Sequence, residues 1–260
     1  IFGIKSGLRG LNPALGHQPV ALTTDFVKDI THIGGSILSS SRGPQDCDVM
    51  VDYLAHLKVN ILFCIGGDGT MRAAEKITQT ITAQGLSIAV IGIPKTIDND
   101  LSLIEKSFGF DTAIERTVEA VRCAHVEAKG AHHGIGLVKI MGRESGFITA
   151  TAALAQGDAN FVLVPEVPFD LDGERGFLKT LKRRMEARQH AVILVAEGAG
   201  QELMKNGPAQ SQTDASGNIR LNDIGLFLKQ AIEEYFQREN FEINLKYIEP
   251  SYLIRSVPAN

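Results

Sequence analysis

The stretch VNILFCIGGDGT, residues 59 to 70, is an apolar, β-rich run that closes on three glycines set around one carboxylate. A short unbroken run of this kind is what a strand buried on both faces needs. Gly66, Gly67 and Gly69 then clear side chains from the turn, so that backbone amides at the start of the following helix can approach an anion. Four more runs repeat the pattern: LSIAVIGIP (86–94), GIGLVKIMG (134–142), NFVLVPE (160–166) and AVILVAEG (191–198). Between them lie segments of helical period at 25–33, 46–57, 71–84, 110–128, 145–156, 173–188 and 223–237, with Asp25 and Asp223 expected as N-caps. Such alternation predicts an α/β fold with mainly parallel sheets flanked by helices.

A weak change of composition near KSFGFDTA (106–113) divides the chain into two expected lobes, 1–109 and 110–260. The polar segment KNGPAQSQTDASGNIR (205–220) reads as an exposed loop of the second lobe. In open α/β sheets, ligands collect beyond the carboxyl ends of the strands, where every Gly-rich or charged turn of this chain falls.

Composition narrows the function. At 260 residues, with 44% hydrophobic and 22% charged, the chain is long enough for two lobes and far from disordered. A net charge of -4 and a pI near 6.0 give no reason to seek a nucleic acid or a membrane surface, whereas a small anionic ligand fits. Cys47, Cys64 and Cys123 are isolated and odd in number, which supports neither a disulfide framework nor a paired zinc site and points to the reducing cytoplasm. No apolar run approaches the roughly 20 residues that span a bilayer. The first residues lack a secretory layout, and the abrupt start on Ile1 and Phe2 reads as an incomplete end.

Three turns carry chemistry. In IGGDGT (65–70), Asp68 would be repelled by bare phosphate and makes sense if a divalent cation bridges the two; the plainer alternative is a tight turn with an Asp cap. In IPKTIDND (93–100), one of Asp98 and Asp100 can take a proton while the other holds metal, with an Asx-rich turn after Pro94 as the alternative. In IMGRESGF (140–147), Arg143 can grip a phosphate through two parallel hydrogen bonds. Arg42, in SSSRGPQD (39–46), adds a second loop cation, against the alternative of a solvated surface charge. His132 and His133 are adjacent and would face opposite ways on a strand, so they do not read as a shared metal site. GRESG lacks the spacing of a nucleophile elbow, which argues against acyl transfer.

Taken in order, GGDGT, PKTIDND, MGRESGF, VPEVPF, VAEGAG and KYIEPSYLIRSVPAN resemble the 6-phosphofructokinases over nearly the whole chain. The likeness is greatest to the longer enzymes of plants, trypanosomatids and several bacteria, a group with ATP-dependent and pyrophosphate-dependent members. The resemblance implies two Rossmann-like lobes, the first binding the donor phosphates and the second the sugar phosphate. It implies glycolytic transfer of a phosphoryl group from ATP to the 1-hydroxyl of fructose 6-phosphate, with Mg²⁺. Asp98 would be the general base, with Thr96 and Asp100 beside it, Arg143 in the catalytic set, and Asp68 and Asp100 placing the metal. Met141, Gly142, Arg143, Glu197, Tyr252 and Arg255 would hold the sugar phosphate, and Lys246 would reach in from a neighbouring subunit of a dimer or tetramer. Arg42, Gly67, Asp68, Gly69, Thr70 and Lys95 would line the donor phosphates.

Departures from the family pattern qualify this. The chain starts after the expected place of a Gly-Gly-x-x-Pro-Gly-x-Asn donor turn and stops at Asn260, before the segment that completes the first lobe, so it reads as a central portion. Where short bacterial enzymes carry an Arg from the neighbouring subunit, this chain has Gly134, and Lys95 or Lys139 is the expected substitute. Pyrophosphate-dependent relatives carry Asp where Gly69 stands, so the resemblance implies ATP as donor; Lys95 occurs with both donors. The alternatives are a pyrophosphate-dependent enzyme and a regulatory subunit that binds sugar phosphate without turnover. NAD and lipid kinases share the Gly-Gly-Asp-Gly turn but not TIDND followed by MGR.

Overall fold

The computed structural model describes residues 1–204 and 220–259. A short antiparallel pair, β1 (Phe2–Gly3) and β2 (Val20–Ala21), opens the chain. The helix expected at 25–33 is only the single turn α1 (Thr24–Val27), followed by a 3₁₀ turn at Ile30–His32. Thr23, not Asp25, is its cap: the Thr23 hydroxyl accepts from Phe26 N at 3.2 Å, and Asp25 lies inside the first turn. Nothing in this segment is buried, so no packing prolongs the helix.

The helix α2 (Cys47–His56) is capped by Asp46, whose carboxylate accepts from Asp48 N and Val49 N. Then come β3 (Ile61–Gly66), α3 (Asp68–Ala83) and β4 (Ala89–Pro94). β3 and β4 run parallel, from Ile61 beside Ala89 to Gly66 beside Pro94. One face of this pair packs with α2 and α3 on a core of Met50, Val51, Leu54, Ile77 and Ile81. The other face presents Ile61, Phe63 and Ile65 to solvent.

The rest of the described chain winds as α4 (Phe110–Gly130), β5 (Gly134–Ile140), α5 (Phe147–Gln156), β6 (Phe161–Leu163), α6 (Phe177–Arg188), β7 (His190–Ala196), α7 (Ile224–Arg238) and β8 (Asn244–Ile248). The strands form a parallel sheet in the order β6-β7-β5-β8. Its two faces are covered separately, by α6 and α7 over Leu137, Ile193 and Val195, and by α4 and α5 over Val138, Ile140 and Leu194. Asp223 caps α7 as expected, accepting from Leu226 N at 3.1 Å. The loop expected at 205–220 lies outside the described residues apart from Arg220.

β1, β2 and β8 were not anticipated. β8 is an edge strand whose run NLKYI mixes polar and apolar residues, so it lacks the apolar signature of its buried neighbours. Gly134, for which Lys95 or Lys139 is the expected compensating cation, has a packing reason. A Cβ there would stand 2.1 Å from the Ala128 carbonyl oxygen, because α4 lies tight against β5.

Candidate active site

The ends of β3, β4, β5, β7 and β8 deliver the turns singled out in the sequence. After β3, Gly67 caps α3 and its carbonyl accepts from Thr70 N and Met71 N. The amides of Asp68 and Gly69, at the first two helical positions, have no intrahelical acceptor, which leaves this corner suited to an anion. The glycines here do different jobs. A Cβ on Gly66 would meet Thr70 Oγ1 at 2.2 Å, whereas a Cβ on Gly69 would meet nothing within 4 Å. Asp68 is half-exposed and pairs with Arg72 one turn along the helix.

The turn after β4 is tied to its surroundings at every step. Lys95 N donates to Gly66 O at 2.9 Å, joining it to the glycine turn. Asp98 N donates to Thr96 Oγ1 at 3.2 Å, and the buried Ser107 hydroxyl donates to Thr96 O at 2.7 Å. Asn99 takes the left-handed conformation, at φ 54°, that Asn tolerates better than most residues; its side chain accepts from Ser107 N and donates to Glu105 O. From across the structure, Ser145 donates to Asp98 O at 2.9 Å.

Asp98 lies on a cavity of about 360 Å³ that also brings together Arg42, Met141, Arg143, Glu197, Tyr252 and Arg255. Its carboxyl is pushed up to about 6, first by burial and then by the charges of Asp100 and Glu197, with Arg255 and Arg143 pulling the other way. Glu197 is fixed by its own amide, which donates to Ile140 O at 2.8 Å. Gly142 sits at φ 136°, and a Cβ on Gly198 would stand 1.6 Å from Arg143 O, so the β5 and β7 turns touch backbone to backbone. The Arg255 guanidinium lies over the Tyr252 ring at 4.8 Å.

Further residues line or brace the site without having been assigned to it. Lys139, Ile140, Glu249 and Ser251 are on the cavity wall, and Ser145 is a brace. Lys139 was noted only as a spare cation. Burial alone would pull its ammonium down, but hydrogen bonds to Asp223 and Glu249 outweigh that and hold it above the ordinary lysine range. Nothing local in the sequence pairs these residues.

Other expected site residues lie away from the cavity wall. Gly67, Asp68, Gly69, Thr70 and Lys95 form the neighbouring corner at the ends of β3 and β4. Thr96 and Asp100 flank Asp98 along its turn, and Gly142 shapes the Arg143 turn. Lys246 is exposed on β8. Among the described residues no three His, Cys, Asp or Glu side chains cluster to hold a metal by themselves. The exposed carboxylates of Asp68 and Asp100 fit the other arrangement, in which Mg²⁺ takes one or two protein carboxylates and completes its shell with phosphate oxygens and water.

The profile of the phosphofructokinase family matches residues 1–259. The chain is 49% identical over 266 residues to the ATP-dependent 6-phosphofructokinase of Borreliella burgdorferi, covering 100% of this chain and 59% of that protein. It is 45% identical over 263 residues to the enzyme of the same name from Trypanosoma brucei brucei, covering 100% of this chain and 53% of that one. The chain thus spans little more than half the length of these relatives. In fold it is similar to the crystal structure of a pyrophosphate-dependent phosphofructokinase from Nitrosospira multiformis, with a TM-score of 0.78 at 18% identity over 98% of this chain and 61% of that one.

Proposed function

The chain belongs to the phosphofructokinase family, and on that footing we propose that its protein transfers the γ-phosphoryl group of ATP to the 1-hydroxyl of fructose 6-phosphate. The observation that carries this reading is Asp98. It is a largely buried carboxyl held near 6 between two acids and two arginines, on a cavity able to take a sugar phosphate. A base with that affinity is ionised at neutral pH yet still takes a proton readily, the compromise that general-base catalysis favours.

The remaining residues divide by what they offer. Arg143 and Arg255 supply charge for the sugar's phosphate, and Glu197, Met141 and Tyr252 orient the sugar so that its hydroxyl meets Asp98. The Gly67–Thr70 corner, with Lys95 and Arg42, receives the donor phosphates. Asp68 and Asp100 would hold Mg²⁺, which when bound neutralises phosphate charge. Residues 1–109 then form the donor lobe and 110–260 the acceptor lobe, with Asp98 and Arg42 reaching across. Lys246 is assigned to a neighbouring subunit's pocket, and a cytoplasmic dimer or tetramer is part of the same proposal.

The test is a coupled assay of the full-length protein, with ATP and pyrophosphate compared at equal concentration. ATP-dependent formation of fructose 1,6-bisphosphate is expected. Turnover with pyrophosphate alone makes it the pyrophosphate-dependent enzyme, and binding of fructose 6-phosphate with neither donor used makes it a regulatory subunit.

A further inference from the structure

Three segments meet at the Lys139 ammonium, and two of them, those of Lys139 and Glu249, line the cavity. Its side chain is 11% exposed and reaches Asp223 Oδ2 at 2.9 Å and Glu249 Oε1 at 3.0 Å. Both carboxylates are themselves anchored. Asp223 Oδ1 accepts from Leu226 N at 3.1 Å as the cap of α7, and Glu249 Oε2 accepts from the Tyr247 hydroxyl at 3.2 Å. Tyr247 lies beneath the first turn of α7, where a Cβ on Gly225 would stand 2.5 Å from its hydroxyl oxygen.

The register explains why this pair matters. The parallel ladder between β5 and β8 ends with Val138 beside Ile248. Lys139 and Glu249 are the next step along it, so their ion pair prolongs the strand contact past the last backbone pairing. On one side the chain goes directly to Met141 and Arg143; on the other it goes to the turn Ser251–Ile254 and Arg255.

We propose that Lys139 is a positioning residue for the acceptor pocket: by holding Glu249 it sets the turn that carries Tyr252 and Arg255 against the turn that carries Arg143. This rests on the reading of the cavity as the fructose 6-phosphate site. It also replaces the view of Lys139 as a spare phosphate ligand. An ammonium has three donors, and two of them are engaged by carboxylates. Removing Lys139 leaves Asp223 and Glu249 without their shared cation, and removing Glu249 cuts the tie to its turn; either change frees the two turns to separate.

The two roles give opposite results at Glu249. In the full-length protein, Lys139→Met and Glu249→Gln are each expected to raise KM and Kd for fructose 6-phosphate about tenfold, the scale of coupling within one ion-pair network. Donor KM should stay unchanged, and kcat should stay within about threefold. The double variant should be no worse than Lys139→Met alone, and Lys139→Arg should recover most of the affinity. A rise with Lys139→Met but unchanged or tighter binding with Glu249→Gln would make Lys139 a direct phosphate ligand and overturn the proposal. Additive losses in the double variant, or a parallel rise in donor KM, would overturn it too. If Lys139→Met does not fold, Glu249→Gln and Lys139→Arg still decide. Wild-type protein that neither binds nor phosphorylates fructose 6-phosphate sinks the acceptor-site reading itself; normal wild-type turnover with unaltered KM in these variants sinks only the role of Lys139.

Discussion

The hydroxyl of Ser145 donates a 2.9 Å hydrogen bond to the backbone carbonyl of Asp98, so the turn after β5 holds the turn after β4 by the residue proposed as the base. Ser145 is 3% exposed and also accepts from Phe147 N at 3.4 Å, which fixes its rotamer at the start of α5. The bond links the carboxylate and Arg143 through backbone, where a small displacement of either would separate the proposed base from the proposed substrate hydroxyl.

Ser145→Ala should therefore lower kcat about tenfold, in line with a net hydrogen bond of about 1 kcal/mol plus an orphaned carbonyl. KM for both substrates should stay close to wild type. Steady-state kinetics on the purified variant decide this, and an unaltered kcat would mean that the bond does not place Asp98.

Asp98→Asn should leave fructose 6-phosphate binding within a few fold and reduce turnover by on the order of 10² or more. With Asp98 at about 6, wild-type kcat/KM should fall as pH drops through that value, and the variant should lack this acidic limb. Stability moves the other way. A carboxyl raised from 3.8 to about 6 favours the folded state fully below 3.8 and loses that contribution as pH rises through about 6. Asp98→Asn should then melt above wild type at pH 8, by an amount corresponding to at most about 3 kcal/mol, and the gap should close near pH 4. Thermal melts at the two pH values measure it; equal Tm at pH 8 would contradict the burial cost.

Arg143→Ala and Arg255→Ala should each raise KM for fructose 6-phosphate at least about tenfold, the loss expected for a charge-assisted hydrogen bond, with a smaller effect on the donor. A rise confined to the donor KM would move the arginine to the other substrate.

Gly69→Asp tests the donor corner without disturbing the fold. No protein atom lies within 4 Å of a Cβ at Gly69, so the carboxylate enters open space and should leave Tm unchanged. If the proposed donor site is right, it takes the space of the nucleotide α-phosphate and repels it, and ATP use should drop sharply, by about 10² on the scale of a misplaced charge in a phosphate site. A variant that uses ATP normally would place the nucleotide elsewhere.

What was legible followed from where the partner of each residue lay. Apolar runs such as AVILVAEG declared β7, because a strand buried on both faces needs only its own residues to be recognised. Asp223 declared α7, since a cap acts within one turn. β8 escaped notice because an edge strand tolerates Asn244 and Lys246. Asp25 drew the cap assignment away from Thr23, two residues earlier, because both residue types cap helices and only the extended backbone at Thr23 decides between them. The turns around Asp98 and Arg143 showed in short motifs. Their braces did not, since Ser145 and Ser107 bond to main-chain oxygens that carry no residue identity, and Lys139 finds its partners far along the chain.

The pairing of β5 with β8, from Gly134 beside Asn244, also sets an order of events during synthesis. Arg143 leaves the ribosome long before Arg255, and until residues 244–248 have emerged the outer edge of β5 has no strand to take. A parallel contact between such distant segments forms slowly. The two arginines become a pair only when that strand docks, so a nascent chain halted before residue 244 carries one half of the proposed phosphate grip and nothing to close it with.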